Sequence, residues 1–170
     1  ALLYLLSAAV NMGGNIDNKL SDLGIKLPVP SLAAASYVPF VKAGNTVFIS
    51  GQITSLDGKL LYIGRLGSDL KVDDGYQAAR LCGLNLISQL KVACAGNLDL
   101  VTQVVKLNGF VNSTQEFTEQ PKVVNGASDL MIEVFGKKIG SHSRIAVSAP
   151  SLPFGIATEV DGIFQISLNS

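Results

Sequence analysis

Apolar residues recur every three to four positions along two long stretches of the chain, and this spacing predicts two amphipathic helices. The first stretch follows Asp73 and Asp74, whose carboxylates we expect to cap the helix, and it ends near Gly96. The second opens at Pro121 and ends at Gly136. The apolar positions are Leu81, Leu84, Ile87, Leu90 and Cys94 in the first helix, and Val124, Ala127, Leu130, Met131, Val134 and Phe135 in the second.

Runs of β-branched and aromatic residues predict five strands around these helices. They read YVPFV, TVFISG, VTQVVKLNGFVNS, RIAVSA and ATEVDGIFQIS, and the turn of the first hairpin is expected at residues 42–45. The resulting order is β-β-α-β-α-β-β, preceded by a short helix over residues 16–24. This order indicates an α+β domain in which both helices cover one face of an antiparallel or mixed sheet.

The other face of the predicted sheet also carries apolar residues and needs a cover. Depending on the register of the long strand, either Val105 and Leu107 or Val104 and Phe110 lie on that face. The chain is 48% hydrophobic and only 15% charged, a balance that argues against disorder. Burial of the open face against other subunits is the simplest solution.

Several classes of function are disfavoured by composition and motif. The 170 residues suggest one domain, and 13 basic residues balance 13 acidic ones, so a nucleic-acid partner is not expected. The sequence contains no phosphate-binding loop and no metalloprotease motif. The single histidine, His142, lies in a polar stretch and is interpreted as a loop residue. We therefore expect neither a metal site nor an organic cofactor.

The cysteines and the amino-terminal segment bear on the location of the protein. Cys82 and Cys94 are spaced for neither a redox pair nor a zinc site, and we interpret both as small core residues in a reducing compartment. A cytoplasmic location is expected, with the mitochondrial matrix or another organelle as the alternative. The apolar segment over residues 1–10 is too short to span a bilayer, so we expect no membrane association and an arm that docks on its own domain or a neighbour.

Candidate chemistry concentrates in the stretch SRIAVSAPSLPFGIATEVDG. Arg144 opens one predicted strand of small and apolar residues, and Glu159 lies in the next. A charge at the end of an otherwise apolar strand needs a partner. From the pattern alone, a salt bridge between these two side chains and a ligand-binding role for Arg144 both remain open.

Five motifs together resemble one known family. Tyr37 is followed thirteen residues later by Ser50 in ISGQ, Asn125 lies in VVNGASDL, and Glu159 comes fifteen residues after Arg144, with a Leu-Pro pair between them. GYQAARLCGLNLISQLKVA and VVKLNGFVNSTQEF complete the match. The sequence resembles the Rid/YjgF family of reactive enamine/imine deaminases, also called the endoribonuclease L-PSP family. The resemblance covers residues 37–166, which leaves an arm with a short helix and linker over residues 1–36 and a tail over residues 167–170.

The resemblance implies a chorismate-mutase-like fold and a homotrimer whose sheets form a central barrel with pockets between subunits. It implies hydrolysis of enamines or imines such as 2-aminoacrylate to 2-keto acids and ammonia, without a cofactor. Arg144 is expected to hold the substrate carboxylate, and Glu159 to position water or move a proton. Further substrate contacts are expected from Tyr37, Ser50, Gly51 and Asn125.

Two departures from the family pattern keep other functions open. Ala146 stands where many members have cysteine, and the segment containing LLYIGRLGSDL is longer than usual. The alternative is a non-catalytic protein that binds small carboxylates or regulates metabolism. An endoribonuclease or translation inhibitor is the weaker alternative, since the chain has no net charge and only one histidine, His142.

Overall fold

The computed structural model describes residues 14–32 and 35–168 of the chain. Three helices and seven strands make up this part of the molecule. The helices are α1 (Asn15–Asp22), α2 (Val72–Ala93) and α3 (Gln120–Gly140). The strands are β1 (Phe40–Ala43), β2 (Thr46–Gln52), β3 (Ser55–Leu56), β4 (Lys59–Leu60), β5 (Val101–Asn112), β6 (Ser143–Ala149) and β7 (Thr158–Ile166).

Five strands form one mixed sheet in the order β1-β2-β7-β5-β6, while β3 and β4 form a separate small hairpin. All neighbours in the large sheet are antiparallel except β5 and β6, which are parallel. The first hairpin turns on Gly44 and Asn45, and Gly44 adopts a φ of 61° that glycine tolerates without strain. The predicted α+β order and the mixed sheet are confirmed.

Helices α2 and α3 lie side by side on one face of the sheet. α2 contacts β2 and β7, whereas α3 contacts β5 and β6. Alternate residues of β7 are buried beneath them, as the twofold period of a strand requires. These residues are Thr158, Val160, Gly162, Phe164 and Ile166. The predicted placement of both helices on one face is therefore confirmed.

The helix ends differ in detail from the sequence prediction. Lys71 is the N-cap of α2, and the Asp74 carboxylate accepts a hydrogen bond from the Lys71 amide at 2.9 Å, so the cap is made by Asp74 alone. Asp73 is exposed in the first turn. α3 breaks at Gly136, where φ is 77°, but a further helical turn continues to Gly140.

Neither pair of residues predicted for the open face of β5 is correct. Val104 and Leu107 are fully buried under the helices, while Phe110 lies on the opposite face, directly across from Glu159. The pairing of β5 with β7 shifts between Val104 and Lys106. This β-bulge adds one residue to β5 and so reverses the alternation of side chains between the two faces. Val104 and Leu107, three positions apart, therefore lie on the same face.

The face away from the helices exposes large apolar side chains. Phe48 is 45% exposed, Ile145 is 47% exposed and Val41 is 53% exposed. Phe48 lies beside Ile163 of β7, and Ile145 beside Asn108 of β5. The expected uncovered apolar face is therefore present in the isolated chain.

The described part of the amino-terminal segment packs on the domain. The Asp99 carboxylate accepts hydrogen bonds from the first two backbone amides of α1 at 2.8 Å each. Leu20 of α1 is 5% exposed and joins the core. Farther along, Ser88 and Gln89 of α2 donate to main-chain carbonyls of residues 28 and 31. The predicted docking of the apolar arm concerns residues that lie outside the described ranges.

Both cysteines are buried free thiols, as the sequence indicated. Burial raises the pKa of Cys82 to about 12, although hydrogen bonding to Thr158 opposes this change. A thiol with so high a pKa is protonated at neutral pH and is a poor nucleophile. Cys82 therefore belongs to the core.

The contact between α2 and α3 generates a test of the fold. Gly126 of α3 faces the backbone of α2 so closely that a Cβ atom would collide with the carbonyl of Tyr76. We expect Gly126→Ala to lower the free energy of unfolding by about 3 kcal/mol, because neither backbone can retreat. Urea unfolding at fixed protein concentration measures the change. Lys122→Ala in the same helix, at an exposed position, should leave the urea midpoint close to that of wild type. Equal midpoints for Gly126→Ala and wild type would contradict the prediction.

Candidate functional site

Arg144 lies near the start of β6, on the helix-covered face of the sheet. Its parallel partner on β5 is Leu107, which is fully buried. The guanidinium contacts α3: Nη1 donates to Asn125 Oδ1 at 2.8 Å and to Ser128 Oγ at 3.1 Å, and Nη2 donates to the Pro121 carbonyl at 3.3 Å. Three neutral acceptors therefore fix the position of Arg144 without neutralising its charge.

The guanidinium keeps part of its hydrogen-bonding capacity. Of its five N–H groups, three are used by the acceptors on α3. Among the described residues, nothing accepts from the remaining two, one on Nε and one on Nη2. Two N–H groups on neighbouring nitrogens are the arrangement that binds a carboxylate through two parallel hydrogen bonds.

Glu159 lies on the other face of the sheet. It sits opposite Phe110 of β5, and Phe110 in turn sits beside Val147 of β6. Because Arg144 is three residues before Val147 on the same strand, its side chain points to the opposite face. β5 also separates β6 from β7. The salt bridge between Arg144 and Glu159 that the sequence left open is therefore not formed within the chain.

Glu159 instead lines a pocket of about 270 Å³. Tyr37, Ser50 and Gly51 line the same pocket, and Phe154 lies at its rim. Tyr37 is 53% exposed and Phe154 is 69% exposed, so two aromatic rings stand partly free in the isolated chain. Neither Arg144 nor Asn125 lines this pocket.

A β-bulge shapes the pocket floor. The register between β2 and β7 shifts between Ile49 and Gln52, so Ser50 and Gly51 together face one residue of β7. The Ser50 hydroxyl donates to the Val38 carbonyl at 2.8 Å, which leaves the lone pairs of its oxygen available as acceptors. A Cβ on residue 51 would collide with the Glu159 carboxyl oxygen. Glycine at position 51 is therefore what lets that carboxyl group rest on the pocket floor.

The surroundings of Glu159 favour its protonated form. Burial raises the pKa of the Glu159 carboxyl group, and the negative charge of Asp161 on the same strand face raises it further. Asp161 accepts a hydrogen bond from Asn108 at 2.7 Å. Burial raises the pKa of Asp161, although this hydrogen bond and the positive charge of Lys106 both act to lower it. A carboxyl group with a raised pKa exchanges protons more readily near neutral pH.

The residues predicted for the site thus fall into two groups. Arg144 and Asn125 form one at the edge of the helix layer, and Tyr37, Ser50, Gly51 and Glu159 form the other at the pocket. The single chain does not bring the two together.

A comparison with known families decides the membership of the chain. Residues 17–161 match the family model described as "YjgF/chorismate_mutase-like, putative endoribonuclease". The chain belongs to the YjgF family. The match begins inside α1, so it includes part of the segment that the sequence analysis assigned to the arm.

Individual relatives agree with this family. The chain is 45% identical over 159 residues to protein TCP17 of Trypanosoma cruzi, covering 94% of this chain and 99% of that protein. A crystal structure from Shewanella oneidensis is 39% identical with a TM-score of 0.86, over 90% of this chain and 100% of that chain. Atu1372 of Agrobacterium tumefaciens, a protein of unknown function, is 43% identical with a TM-score of 0.83, over 89% and 92% of the two chains. The YjgF, chorismate-mutase-like fold is thereby confirmed.

Sequence reasoning missed two residues beside Arg144 in this YjgF-family chain. Ser128 contacts the guanidinium, and His142 contacts Ser128. Ser128 follows Asn125 by three positions in a predicted helix, a spacing that places both on one helical face. That signal was available in the sequence. The contact of His142 depends on how the loop after α3 folds back, and no local pattern reveals it.

Within residues 14–32 and 35–168, no cluster of three or more histidine, cysteine, aspartate or glutamate side chains is arranged to hold a metal ion. None of the helices in those ranges combines the length and apolarity that crossing a bilayer would need.

The effect of Asp161 on the pKa of Glu159 can be measured directly. We expect Asp161→Asn to lower the pKa of Glu159, because the change removes a negative charge while burial still holds the pKa above its ordinary value. Carbon-13 NMR titration of the side-chain carboxyl groups reads the pKa of Glu159. Glu116→Gln, at an exposed position, is the matched control and should leave that pKa unchanged. An unaltered Glu159 pKa in Asp161→Asn would show that the two carboxyl groups do not interact.

Proposed function

We propose that this protein hydrolyses enamines and imines that carry a carboxylate, such as 2-aminoacrylate, to 2-keto acids and ammonia. The observation that carries the proposal is Arg144, which α3 holds in place by neutral acceptors with two N–H groups left for a ligand. Membership of the YjgF family and the position of Glu159 in the pocket with Tyr37 and Ser50 support it. The reaction class rests on the resemblance stated for the sequence.

The proposed site needs two copies of the chain. Arg144 and Glu159 point to opposite faces of one sheet, so a single chain offers only half of the site at each place. The exposed apolar face provides a reason to associate, because burying side chains such as Phe48 and Ile145 removes apolar surface from water. We propose a homotrimer in which Arg144 of one subunit completes the Glu159 pocket of the next.

The chemistry follows from the groups available. Arg144 holds the substrate carboxylate and so fixes the imine carbon relative to the pocket. Water adds to the carbon of the protonated imine while Glu159 accepts a proton from the water, and the C=N electron pair moves to nitrogen, so a neutral amino alcohol with one new C–O bond forms. Glu159 then returns that proton to the amine nitrogen. The C–N bond breaks as the hydroxyl oxygen forms the C=O bond, ammonia leaves, and the hydroxyl proton passes back to Glu159. An enamine enters the same sequence after a proton adds to its terminal carbon.

The first test is turnover. A pyridoxal-phosphate-dependent dehydratase acting on serine supplies fresh 2-aminoacrylate, and pyruvate release above the uncatalysed rate measures activity. We expect Arg144→Ala to lower kcat/KM by about 100-fold, since a charge-assisted double hydrogen bond is lost. Arg144→Lys keeps the charge without the planar pair of donors and should fall between Ala and wild type.

Arg80→Ala is the matched control for this test. Arg80 forms an ion pair with Glu133 between the two long helices, away from both groups of site residues. Its removal should leave kcat/KM within about twofold of wild type. Wild-type protein that binds pyruvate without accelerating hydrolysis would replace the proposal with simple carboxylate binding. Cleavage of RNA that disappears in Arg144→Ala would replace it with an endoribonuclease.

The second test asks whether the site spans two subunits. Arg144→Ala and Glu159→Gln are each expected to be inactive alone. When the two variants are co-expressed and trimers mix at random, a site is intact if its arginine and its glutamate both come from unmutated positions. This occurs for about a quarter of the sites in a cyclic trimer. Recovery near that fraction supports the shared site, whereas no recovery in mixed oligomers would place both residues in one chain's site.

A further inference from the structure

A chain of hydrogen bonds extends from the Arg144 guanidinium to the loop before β6. Arg144 Nη1 lies 3.1 Å from Ser128 Oγ, and Ser128 Oγ lies 2.9 Å from His142 Nε2. His142 Nδ1 in turn lies 2.6 Å from the Gly140 carbonyl oxygen. Ser128 and His142 are both half-buried. The three side chains thus form one connected row that ends on main chain.

The direction of each bond in this row is determined by chemistry. A carbonyl oxygen only accepts, so His142 Nδ1 carries the proton toward Gly140. In the neutral ring, Nε2 is then an acceptor, and it takes the Ser128 hydroxyl proton. The lone pairs of Ser128 Oγ are therefore turned toward Arg144, which can only donate. Every donor in the row meets one acceptor.

Without His142, the hydroxyl of Ser128 has a competing partner. A serine within a helix commonly turns its hydroxyl toward the carbonyl four residues earlier. In this position that carbonyl belongs to Val124. His142 is thus the group that keeps Ser128 directed at the guanidinium, although it does not touch Arg144 itself.

We propose that Ser128 and His142 are positioning residues that set the guanidinium of Arg144 for carboxylate binding. The proposal rests on the function proposed above, because it assigns the two residues to the same arginine. Asn125 and Pro121 hold the guanidinium from the side of α3, and Ser128 shares Nη1 with Asn125. Removing the serine or the histidine leaves Arg144 charged and bonded to Asn125 and Pro121, but with one acceptor fewer to fix the orientation of its guanidinium. The loss then falls on substrate and product binding.

The experiment measures binding and turnover separately in full-length protein. Ser128→Ala and His142→Ala are each expected to raise KM for 2-aminoacrylate, and the Kd for pyruvate, by about tenfold, with kcat changed much less. The double variant should be no worse than either single one, since both break the same row. Ser128→Thr keeps the hydroxyl, and His142→Gln places an acceptor near the position of Nε2. Both conservative variants should restore KM to within about threefold of wild type.

The controls separate positioning from general damage to the fold. Alanine is the best helix former, so Ser128→Ala should leave the midpoint of thermal unfolding unchanged. Ser141→Ala removes another hydroxyl of the same loop, one that bonds the Lys137 carbonyl, and should leave KM unchanged. Additive losses in the double variant, or equal losses in the alanine and conservative variants, would overturn the positioning role.

The outcome for Arg144→Ala distinguishes the two proposals. If Arg144→Ala loses activity while Ser128→Ala and His142→Ala keep wild-type KM, the positioning role fails and the proposed function stands. If Arg144→Ala itself keeps wild-type activity, the proposed function fails, and the positioning role fails with it.

Discussion

The pleat of the sheet around β5 is the constraint on which the site depends. β5 pairs with β6 on one side and β7 on the other, so the residues that face each other across it share a side of the sheet. Glu159, Phe110 and Val147 point away from the helices, and Arg144 points toward them. No change of rotamer moves a side chain through a sheet. The two groups of candidate site residues therefore remain apart within one chain, and the site that we propose needs a second chain to join them.

The same constraint connects association with function. The sheet face that carries Glu159 also exposes Phe48 and Ile145, so the surface that gains most from burial adjoins the incomplete pocket. Few charges oppose that burial, since only 15% of residues are charged. In the assembly we propose, burial of this face drives association, and association places the arginine of a neighbouring subunit at the pocket. A pocket formed in this way exists only in the folded oligomer.

Local patterns predicted the helices and strands well because each type of element places apolar residues at a characteristic spacing in the sequence. They failed where the answer depends on contacts distant in sequence. The bulge in β5 places Val104 and Leu107 on one face, and nothing in the run VTQVVKLNGF marks the extra residue. The separation of Arg144 from Glu159 follows from the insertion of β5 between their strands, which is a property of topology. The motif of the family singles out both residues as candidates without showing that they face opposite ways.

The separation from Glu159 also leaves the positive charge of Arg144 without a carboxylate partner among the described residues. Had Glu159 lain beside it, the two side chains would have formed an ion pair, and a substrate carboxylate would have had to displace the glutamate. Instead the partners of Arg144 are an amide oxygen, a hydroxyl and a main-chain carbonyl, all of them neutral. Such partners displace part of the water around the guanidinium and fix its orientation. They carry no negative charge, so its positive electrostatic potential is not cancelled. In the function that we propose, these neutral partners keep the charge of Arg144 available to the substrate anion, and the row through Ser128 and His142 extends that support without introducing a carboxylate.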